Sequence, residues 1–324
     1  MFLQKNTLRI LCLLLAAIPA YAAVAQSFPT RPITLIVAAS PGGAMDLVAR
    51  NIAQKLTAAW GQSVIVENKS GATGIIGTDA VAKAASDGHT LVLVASSHAI
   101  NASLVKKLPF DTVKSFVPII MTHEVPLVLA VSPELPVKSL AELIAYAKKN
   151  PSKLTFASSG AGGAPHLSGE LFKTMAGIDI VHIPYKSSTL ALPDLLSGRT
   201  SMMFFTVPAI KAQIANGSVR ALAVTTAKSV SVLPNVPTMA EAGLPGFETS
   251  TWSGILAPAG TPKATVAKLN TELNKILAMP DIRQKFQEGG LDIGGGTSQQ
   301  FADFMSSEIA KWAKVASAAG IQPE

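Results

Sequence analysis

Two glycine-rich turns, about 120 residues apart, constrain the fold of this chain more than any other feature. The first, Ser40-Pro-Gly-Gly-Ala-Met-Asp46, follows the apolar run 33–38, and the second, Ser158-Ser-Gly-Ala-Gly-Gly-Ala-Pro-His166, follows 154–157. Each precedes a helix-like stretch, so each predicts a strand, a glycine turn and a helix N-terminus. Such a turn directs unpaired N–H groups and the positive helix end at one spot, which suits an anion. One turn of this kind often only connects a strand to a helix. Two in separate halves indicate two lobes that face one small anionic ligand.

The N-terminus has the pattern of a cleavable export signal. Lys5 and Arg9 form a basic region, an apolar run follows at 10–18, and Ala23-Val-Ala25 is a small-x-small cleavage site. The alternative, an uncleaved anchor, is disfavoured because the apolar run is too short to span a bilayer. The sequence therefore predicts a signal peptide over residues 1–25 and a mature protein in the periplasm.

The charge that remains after export points to small acids as ligands. Removing Lys5 and Arg9, with no acid among residues 1–25, lowers the formal net charge from +7 to +5. The basic residues are scattered and do not alternate with aromatic residues, which argues against nucleic-acid binding. A mildly basic exported protein attracts small acids. Because the single cysteine, Cys12, lies in the leader, the mature chain has no disulfide and must be held by its core.

Apolar strand patterns alternate with amphipathic helical patterns, which predicts α/β lobes with largely parallel sheets. No linker separates two halves, so we expect the chain to cross between lobes on extended segments near Glu124–Val128 and Ser250–Ile255. This places lobe 1 at 26–125 and 251–324 and lobe 2 at 126–250. Two crossover strands of this kind form a Venus flytrap that closes around a ligand.

Sequence signatures of catalysis are missing. The chain has no G-x-S-x-G, no H-E-x-x-H, no phosphate-binding P-loop and, after the leader, no cysteine. Gly71, Gly74 and Gly77 do not have the G-x-G-x-x-G spacing of a dinucleotide site, and a tight turn with close helix packing explains them better. We predict no cofactor and no metal.

Two candidate side chains border the glycine turns. Asp46 fits the first turn of a helix, where a carboxylate bonds turn N–H groups, although contact with a ligand amine is the functional alternative. His166 and Glu170 lie four residues apart on the second helix. For His166, a structural role at the helix start, a ligand contact and a metal ligand all remain open, the last with no third ligand nearby.

Other candidates lie at predicted strand ends. Ser96 and Ser97 follow the strand 90–95, and Tyr185 ends the strand that contains His182, which we interpret as structural. Trp252 lies on the second crossing and is either hinge packing or a wall for the ligand. The run Met202-Met-Phe-Phe205 is typical of a core, although one member could close the pocket.

Read in order, several short segments resemble one family. They are Phe28-Pro-x-Arg-Pro-Ile33, Pro41-Gly-Gly-x-x-Asp46, Glu67-Asn-Lys-Ser-Gly-Ala72, Gly77-Thr-Asp79, Asp87-Gly-His-Thr90, the turn 158–166, Pro184-Tyr-Lys186, Pro237-Thr-Met-Ala-Glu-Ala-Gly243, Trp252-Ser-Gly254 and Ala257-Pro-Ala-Gly-Thr-Pro262. This ordered set is similar to the Bug-type extracytoplasmic solute receptors of the tripartite tricarboxylate transporter family, over nearly the whole mature chain.

The resemblance implies a two-lobed, type II periplasmic binding protein, expected to be monomeric. Such a receptor captures a small organic acid and delivers it to a membrane permease of a large and a small subunit, or to a sensor. In the family, backbone amides and ordered waters of the two glycine turns hold the ligand carboxylate. The resulting candidate ligand-binding residues are Ser40, Pro41, Gly42, Gly43, Asp46, Ser96, Ser97, Ser158, Ser159, Gly160, Gly162, Gly163, His166, Tyr185, Phe204, Phe205 and Trp252.

The chain departs from the family pattern in three places. The first turn reads Ala-Ala-Ser-Pro-Gly-Gly, Ser187 replaces a common glycine, and Phe205-Thr206 follows Phe204 where the family often has an acid. Without that acid an ammonium has no obvious partner, so Phe204 and Phe205 favour an apolar or aromatic acid. An exported hydrolase of an acid or ester is the alternative, and an adaptor that binds a protein is a third hypothesis.

Overall fold

The computed structural model describes residues 28–323. The predicted leader, with Cys12, lies outside the described residues. Within them, ten strands form one sheet. Their order across it is β2 (Val64–Asn68), β1 (Ile33–Val37), β3 (Thr90–Ala95), β9 (Ser250–Pro258), β4 (Phe116–Val131), β7 (Met202–Thr206), β5 (Thr155–Ser158) and β6 (Val181–Pro184), and both β8 (Arg220–Val224) and β10 (Asp292–Gly295) pair with β4. The two ends of this sheet belong to two lobes.

Lobe 1 is a mixed sheet with helices on both faces. Its strands are β1 (Ile33–Val37), β2 (Val64–Asn68), β3 (Thr90–Ala95), the first part of β4 (Phe116–Val131), β9 (Ser250–Pro258) and β10 (Asp292–Gly295). Its helices are α1 (Ala44–Trp60), α2 (Ile75–Ala82), α3 (Ser97–Leu104), α8 (Lys263–Ala278), α9 (Pro280–Glu288) and α10 (Ser298–Ala318). Strand β1 is parallel to β2 and β3, and β9 is antiparallel to β3 and β4. Leu35 and Ile36 point to opposite faces of β1 and are both buried, which explains the unbroken apolar run.

Lobe 2 repeats the arrangement on a smaller sheet. It contains the second part of β4, then β5 (Thr155–Ser158), β6 (Val181–Pro184), β7 (Met202–Thr206) and β8 (Arg220–Val224). Its helices are α4 (Leu140–Lys149), α5 (Ala164–Ala176), α6 (Ser188–Leu196) and α7 (Val207–Ala215). The N-terminal half of α5 also packs on lobe 1, where Ala164 and Leu167 share a buried cluster with Phe301 and Trp312 of α10.

Strands β4 and β9 connect the lobes. Their antiparallel pairing runs from Phe116 opposite Pro258 to Pro126 opposite Ser250, and from Leu127 onward β4 pairs with β7 and β8 instead. Both segments expected as crossings lie on these strands. The lobe boundaries at 125/126 and 250/251 stay a prediction.

Candidate functional site

Both glycine turns follow the strand at which the strand order reverses in their lobe. Strand β1 lies between β2 and β3, and β5 lies between β6 and β7. The carboxyl end of a parallel sheet at such a reversal is the usual ligand site of open α/β folds, because the loops diverge there and leave a crevice. The predicted site residues therefore lie at the ends of β1, β3, β5, β6 and β7, or on the crossing strand β9.

In the first turn, Asp46 has a structural role. Its Oδ2 accepts the Gly42 N–H at 3.0 Å and the Arg50 Nε–H at 3.1 Å, and Arg50 also forms an ion pair with it. These contacts, the Arg50 hydrogen bond first, lower the pKa of Asp46. The carboxylate thus closes the turn, and the structural alternative explains it. Ser40, Pro41, Gly42 and Gly43 are exposed.

The N-terminus of α1 keeps backbone donors for an anion. Gly43 is the N-cap residue and has no side chain that could cap the helix. Within the described residues, no side chain at the N-cap accepts a hydrogen bond from the N–H groups of the first helical turn. The N-terminus of α5 has the same form, with Gly163 as N-cap and Pro165 in its first turn. Each glycine turn therefore leads into an uncapped, positively polarised helix end.

The second turn is fixed by Ser158 and His182. The Ser158 hydroxyl lies 3.0 Å from Gly160 O and 3.3 Å from Gly160 N, and 2.7 Å from His182 Nε2. A single hydroxyl that donates to the carbonyl and accepts from the N–H and the imidazole is fully used. Ser158 is buried, whereas Ser159 is exposed. Ser158 thus shapes the loop and does not point into the cleft.

His166 fixes the other half of this turn. Its Nδ1 accepts the Gly162 N–H at 3.0 Å, and its ring stacks on His182 with 3.9 Å between centroids. Burial, then the neighbouring His182 and Lys173, lower the pKa of His166 to about 4, so the ring is neutral and can accept. Its Nε2 lies 3.8 Å from Glu170, which forms a closer ion pair with Lys173 at 3.1 Å. This geometry favours the structural role, and the described residues contain no cluster of three or more metal-binding side chains.

A cavity of about 180 Å³ lies between the second turn and lobe 1. Ala161, Gly162 and His166 form one side of it, and the other sides are Thr73, Asn101, Leu104, Val105, Ile321 and Gln322. Sequence reasoning missed the lobe 1 side. The first turn does not line this cavity, so the expectation that the two turns face each other across one ligand stays a prediction.

Thr73 shows why the lobe 1 side was missed. It has a left-handed backbone, φ +50°, inside the segment that sequence reasoning interpreted only as a tight turn. Its hydroxyl lies 3.1 Å from Asn101 Oδ1, and the Asn101 amide donates back to Thr73 O at 3.3 Å. The tight-turn interpretation itself agrees with the structure, because a Cβ on Gly77 would lie 2.7 Å from Lys69 O. Ala72 and Thr73 both have this left-handed backbone, which is unusual for residues other than glycine and is visible only in the structure.

The serines after β3 and the tyrosine after β6 lie at the carboxyl ends of their strands. Ser96 is buried and donates its N–H to Trp252 O at 2.9 Å, which ties the loop to β9. Ser97 is half-buried at the start of α3. The Tyr185 hydroxyl donates to Asp194 at 2.6 Å, and burial followed by this carboxylate raises the pKa of Tyr185 to about 12. Its hydroxyl is therefore committed within lobe 2.

Three aromatic candidates are corrected by the structure. Phe204 is fully buried and stacks on Phe247, and Phe205 is buried on the opposite face of β7 against the cluster that contains Leu195. Trp252 is 1% exposed and donates its indole N–H to Glu308. All three are core residues because adjacent positions of a strand covered on both faces are both buried. For Trp252 this is the hinge-packing alternative, and the inference of an aromatic ligand from Phe204 and Phe205 loses its basis.

Comparison with known proteins identifies the family. The model of the tripartite tricarboxylate transporter family receptor matches residues 48–321. The chain belongs to this family. Among relatives of this receptor family, BugT of Bordetella pertussis (strain Tohama I) is 40% identical over 293 residues, 90% of this chain and 90% of BugT. The resemblance to Bug-type receptors is thus confirmed.

Solved structures of similar receptors confirm the two-lobed binding-protein fold. The R. palustris protein Rpa4515 with adipate is 41% identical, with a TM-score of 0.77 over 92% of this chain and all of that one. MatC from Rhodopseudomonas palustris with bound malate is 32% identical, with a TM-score of 0.72 over 89% of this chain and 99% of MatC. Among residues 28–323, no helix of the receptor has the length and apolarity that a membrane crossing requires.

Proposed function

We propose that this receptor captures a small organic carboxylate in the cleft between its lobes, in the periplasm, and delivers it to a tripartite permease. The observation that supports this most is the pair of uncapped helix N-termini, at Gly43 and Gly163, each after the strand where its lobe's order reverses. The carboxylates adipate and malate are bound in two similar structures. The predicted leader over residues 1–25 supplies the route to the periplasm.

Backbone donors are sufficient for useful affinity. Hydrogen bonds to a charged group contribute roughly 1.5–3 kcal/mol each, and a micromolar complex needs about 8 kcal/mol. Three or four such bonds, shared between the two helix ends, reach that value before desolvation is subtracted. Closure of the lobes and the fit of the ligand supply the remainder.

The site favours an acid without an essential amine. A ligand ammonium needs a free carboxylate, yet Asp46 is held by Gly42 and Arg50, and Glu170 is paired with Lys173. A carboxylate that is already paired gains little from a second cation. We therefore expect amino acids to bind no better than the matching acids without the amine.

The hydrolase alternative has one superficial support, the 2.7 Å contact between Ser158 and His182. A nucleophilic serine needs an exposed oxygen and a base that takes its proton. Ser158 is 0% exposed, and its oxygen already serves the Gly160 backbone. In the described chain no carboxylate is hydrogen-bonded to His182 to orient it. The contact therefore favours a rigid loop, and we propose no catalysis.

A thermal-shift screen tests this function. Adipate, malate, succinate and aspartate are added to the mature protein, and ligand at a hundred times Kd is expected to stabilise it by about 2.7 kcal/mol, several degrees. Succinate against aspartate is the matched pair for the amine. The proposal is overturned if none of these acids shifts the melting temperature while ester hydrolysis is detected, and strict preference for aspartate contradicts the ligand class.

A further inference from the structure

The cavity beside the second turn is built from both lobes and the end of the chain. Thr73, Leu104 and Val105 come from lobe 1, Gly162 from lobe 2, and Ile321 from the segment after α10. The lobes approach closely here, since a Cβ on Gly162 would lie 3.1 Å from Leu104 Cδ1. A molecule in this cavity would touch both lobes at once, as the ligand of a closing receptor must.

Most of the polar side chains around the cavity, and one backbone N–H, are already engaged with each other. Thr73 and Asn101 form two hydrogen bonds between themselves, and the Gly162 N–H donates to His166. Apart from the Gln322 side chain, most of the surface that remains for an occupant is carbon from Leu104, Val105 and Ile321. Such a surface favours an apolar group, which gains from leaving water and demands no hydrogen bond.

The cavity has the size of one ring. An apolar protein cavity of about 150 Å³ binds benzene, and this cavity measures about 180 Å³. One of its sides is the glycine turn that leads into the uncapped N-terminus of α5. An occupant that places a ring in the cavity thus has a carboxylate-binding helix end next to it.

We propose that this cavity is a subsite for the ring of a monocyclic carboxylate, and that Leu104 and Val105 determine the preference for such acids. This rests on the proposed function, because the carboxylate of the same ligand is held by the glycine turns. The proposal does not depend on Phe204 and Phe205, from which an aromatic ligand is expected in the sequence, because both are core residues.

Calorimetry with benzoate and propanoate tests the subsite. Both acids carry one carboxylate, and only benzoate has a ring. In the wild-type protein benzoate is expected to bind at least about tenfold more tightly, a difference of 1.4 kcal/mol. In Leu104→Trp the new side chain fills the cavity, so benzoate affinity falls about tenfold while propanoate affinity is unchanged.

A matched control and a second variant keep the result interpretable. Ala102 is exposed on the same helix, so Ala102→Trp adds the same bulk outside the cavity and leaves both affinities unchanged. Val105→Phe reports on the cavity if Leu104→Trp unfolds, and circular dichroism checks the fold of each variant.

Each outcome is decisive. Equal affinities of the wild-type protein for benzoate and propanoate would refute the ring subsite. Equal losses of affinity for both acids in Leu104→Trp would also refute it, because they would indicate that Leu104 is a contact between the closing lobes. Binding of the straight-chain acids adipate or malate without benzoate refutes the subsite and leaves the carboxylate receptor intact. If no acid binds, the proposed function fails with it.

Discussion

At the scale of single residues, two glycines that look equivalent in sequence have different constraints. Gly43 has extended backbone, φ −85° and ψ 177°, and a Cβ there would have its nearest neighbour, Ser40 O, at 4.0 Å. Gly162 has φ +75°, and its Cβ would press on Leu104. A side chain at Gly43 therefore tests ligand approach alone, whereas one at Gly162 also strains the turn.

The substitution Gly43→Val is expected to abolish tight carboxylate binding and keep the fold. The valine blocks the N-terminus of α1, so affinity for adipate falls about tenfold or more, and the cost in stability is about 1 kcal/mol or less because the position is an N-cap with ordinary backbone. Calorimetry and thermal unfolding measure the two effects. Ala102→Val, exposed on α3, is the control, and full-strength binding by Gly43→Val would place the ligand elsewhere.

Residue roles were predictable where they follow from local geometry. The structural alternative for Asp46 follows from capping chemistry, which depends on neighbours in sequence, and its carboxylate accepts the Gly42 N–H. Ser158 is predicted as a ligand contact, whereas its buried hydroxyl bonds to Gly160 and His182 instead. The cavity residues Thr73, Leu104 and Ile321 were not predicted. They meet only because α3, the turn before α2 and the chain end converge, and no local pattern records that meeting.

At the scale of elements, α10 clamps the crossing strand β9. Glu308 of α10 is 3% exposed, and its Oε2 accepts the indole N–H groups of Trp252 and Trp312, each at 3.0 Å. Its other oxygen forms an ion pair with Lys311. Trp252 also packs edge-on against Phe301 of α10. One buried carboxylate thus holds the crossing strand β9 against α10.

Replacing Glu308 with alanine is expected to destabilise the protein by about 2–4 kcal/mol, because two buried indole donors lose their acceptor. Glu308→Gln keeps a carbonyl acceptor and is expected to cost less. Chemical denaturation measures both. Glu288→Ala, on an exposed position of α9, is the comparison and should stay within about 0.5 kcal/mol. A Glu308→Ala variant as stable as Glu288→Ala would show that the clamp is not needed.

Two elements are hard to predict from the sequence because proline or polar residues hide a buried segment. The first part of β4 contains Pro118 and Pro126, which argue against a strand, yet a register shift after Pro118 accommodates the first and the lobe crossing accommodates the second. Helix α3 is rich in Ser, Asn and His, weak helix formers, and is stabilised by burial of Ala99 and Ile100. Tertiary packing determines both elements, so the sequence pattern alone does not predict them.

At the scale of the whole molecule, buried histidines make stability depend on pH. Burial lowers the pKa of His98, His123, His166 and His182 to about 4 from the usual 6.5. The folded state therefore binds fewer protons than the unfolded state between these values. Stability from these groups is complete above pH 6.5 and is lost as the pH falls toward 4. Burial raises the pKa of Glu124 and Asp292, which opposes the trend.

The melting temperature is accordingly expected to fall between pH 6.5 and 4.5. A His98→Phe variant, which replaces a ring packed against Phe110 and Phe116 by one without a titrating group, is expected to show a shallower fall. Carboxylates whose pKa is lowered on folding, such as Asp281, also lose stability toward low pH, so the comparison of His98→Phe with the wild-type protein is what isolates the histidine. A flat profile from pH 6.5 to 4.5 contradicts the expectation.

The pairing of β4 with β9 also determines how the chain can be cut. Pro126 and Ser250 face each other on neighbouring antiparallel strands, so the segment between them leaves and re-enters lobe 1 through points about 5 Å apart. A two-residue hairpin loop closes such a gap. We therefore expect that the whole insert can be exchanged for that of another receptor at a single splice point, provided that the transplanted half carries a helix face that matches the packing of Ala164 and Leu167 on lobe 1.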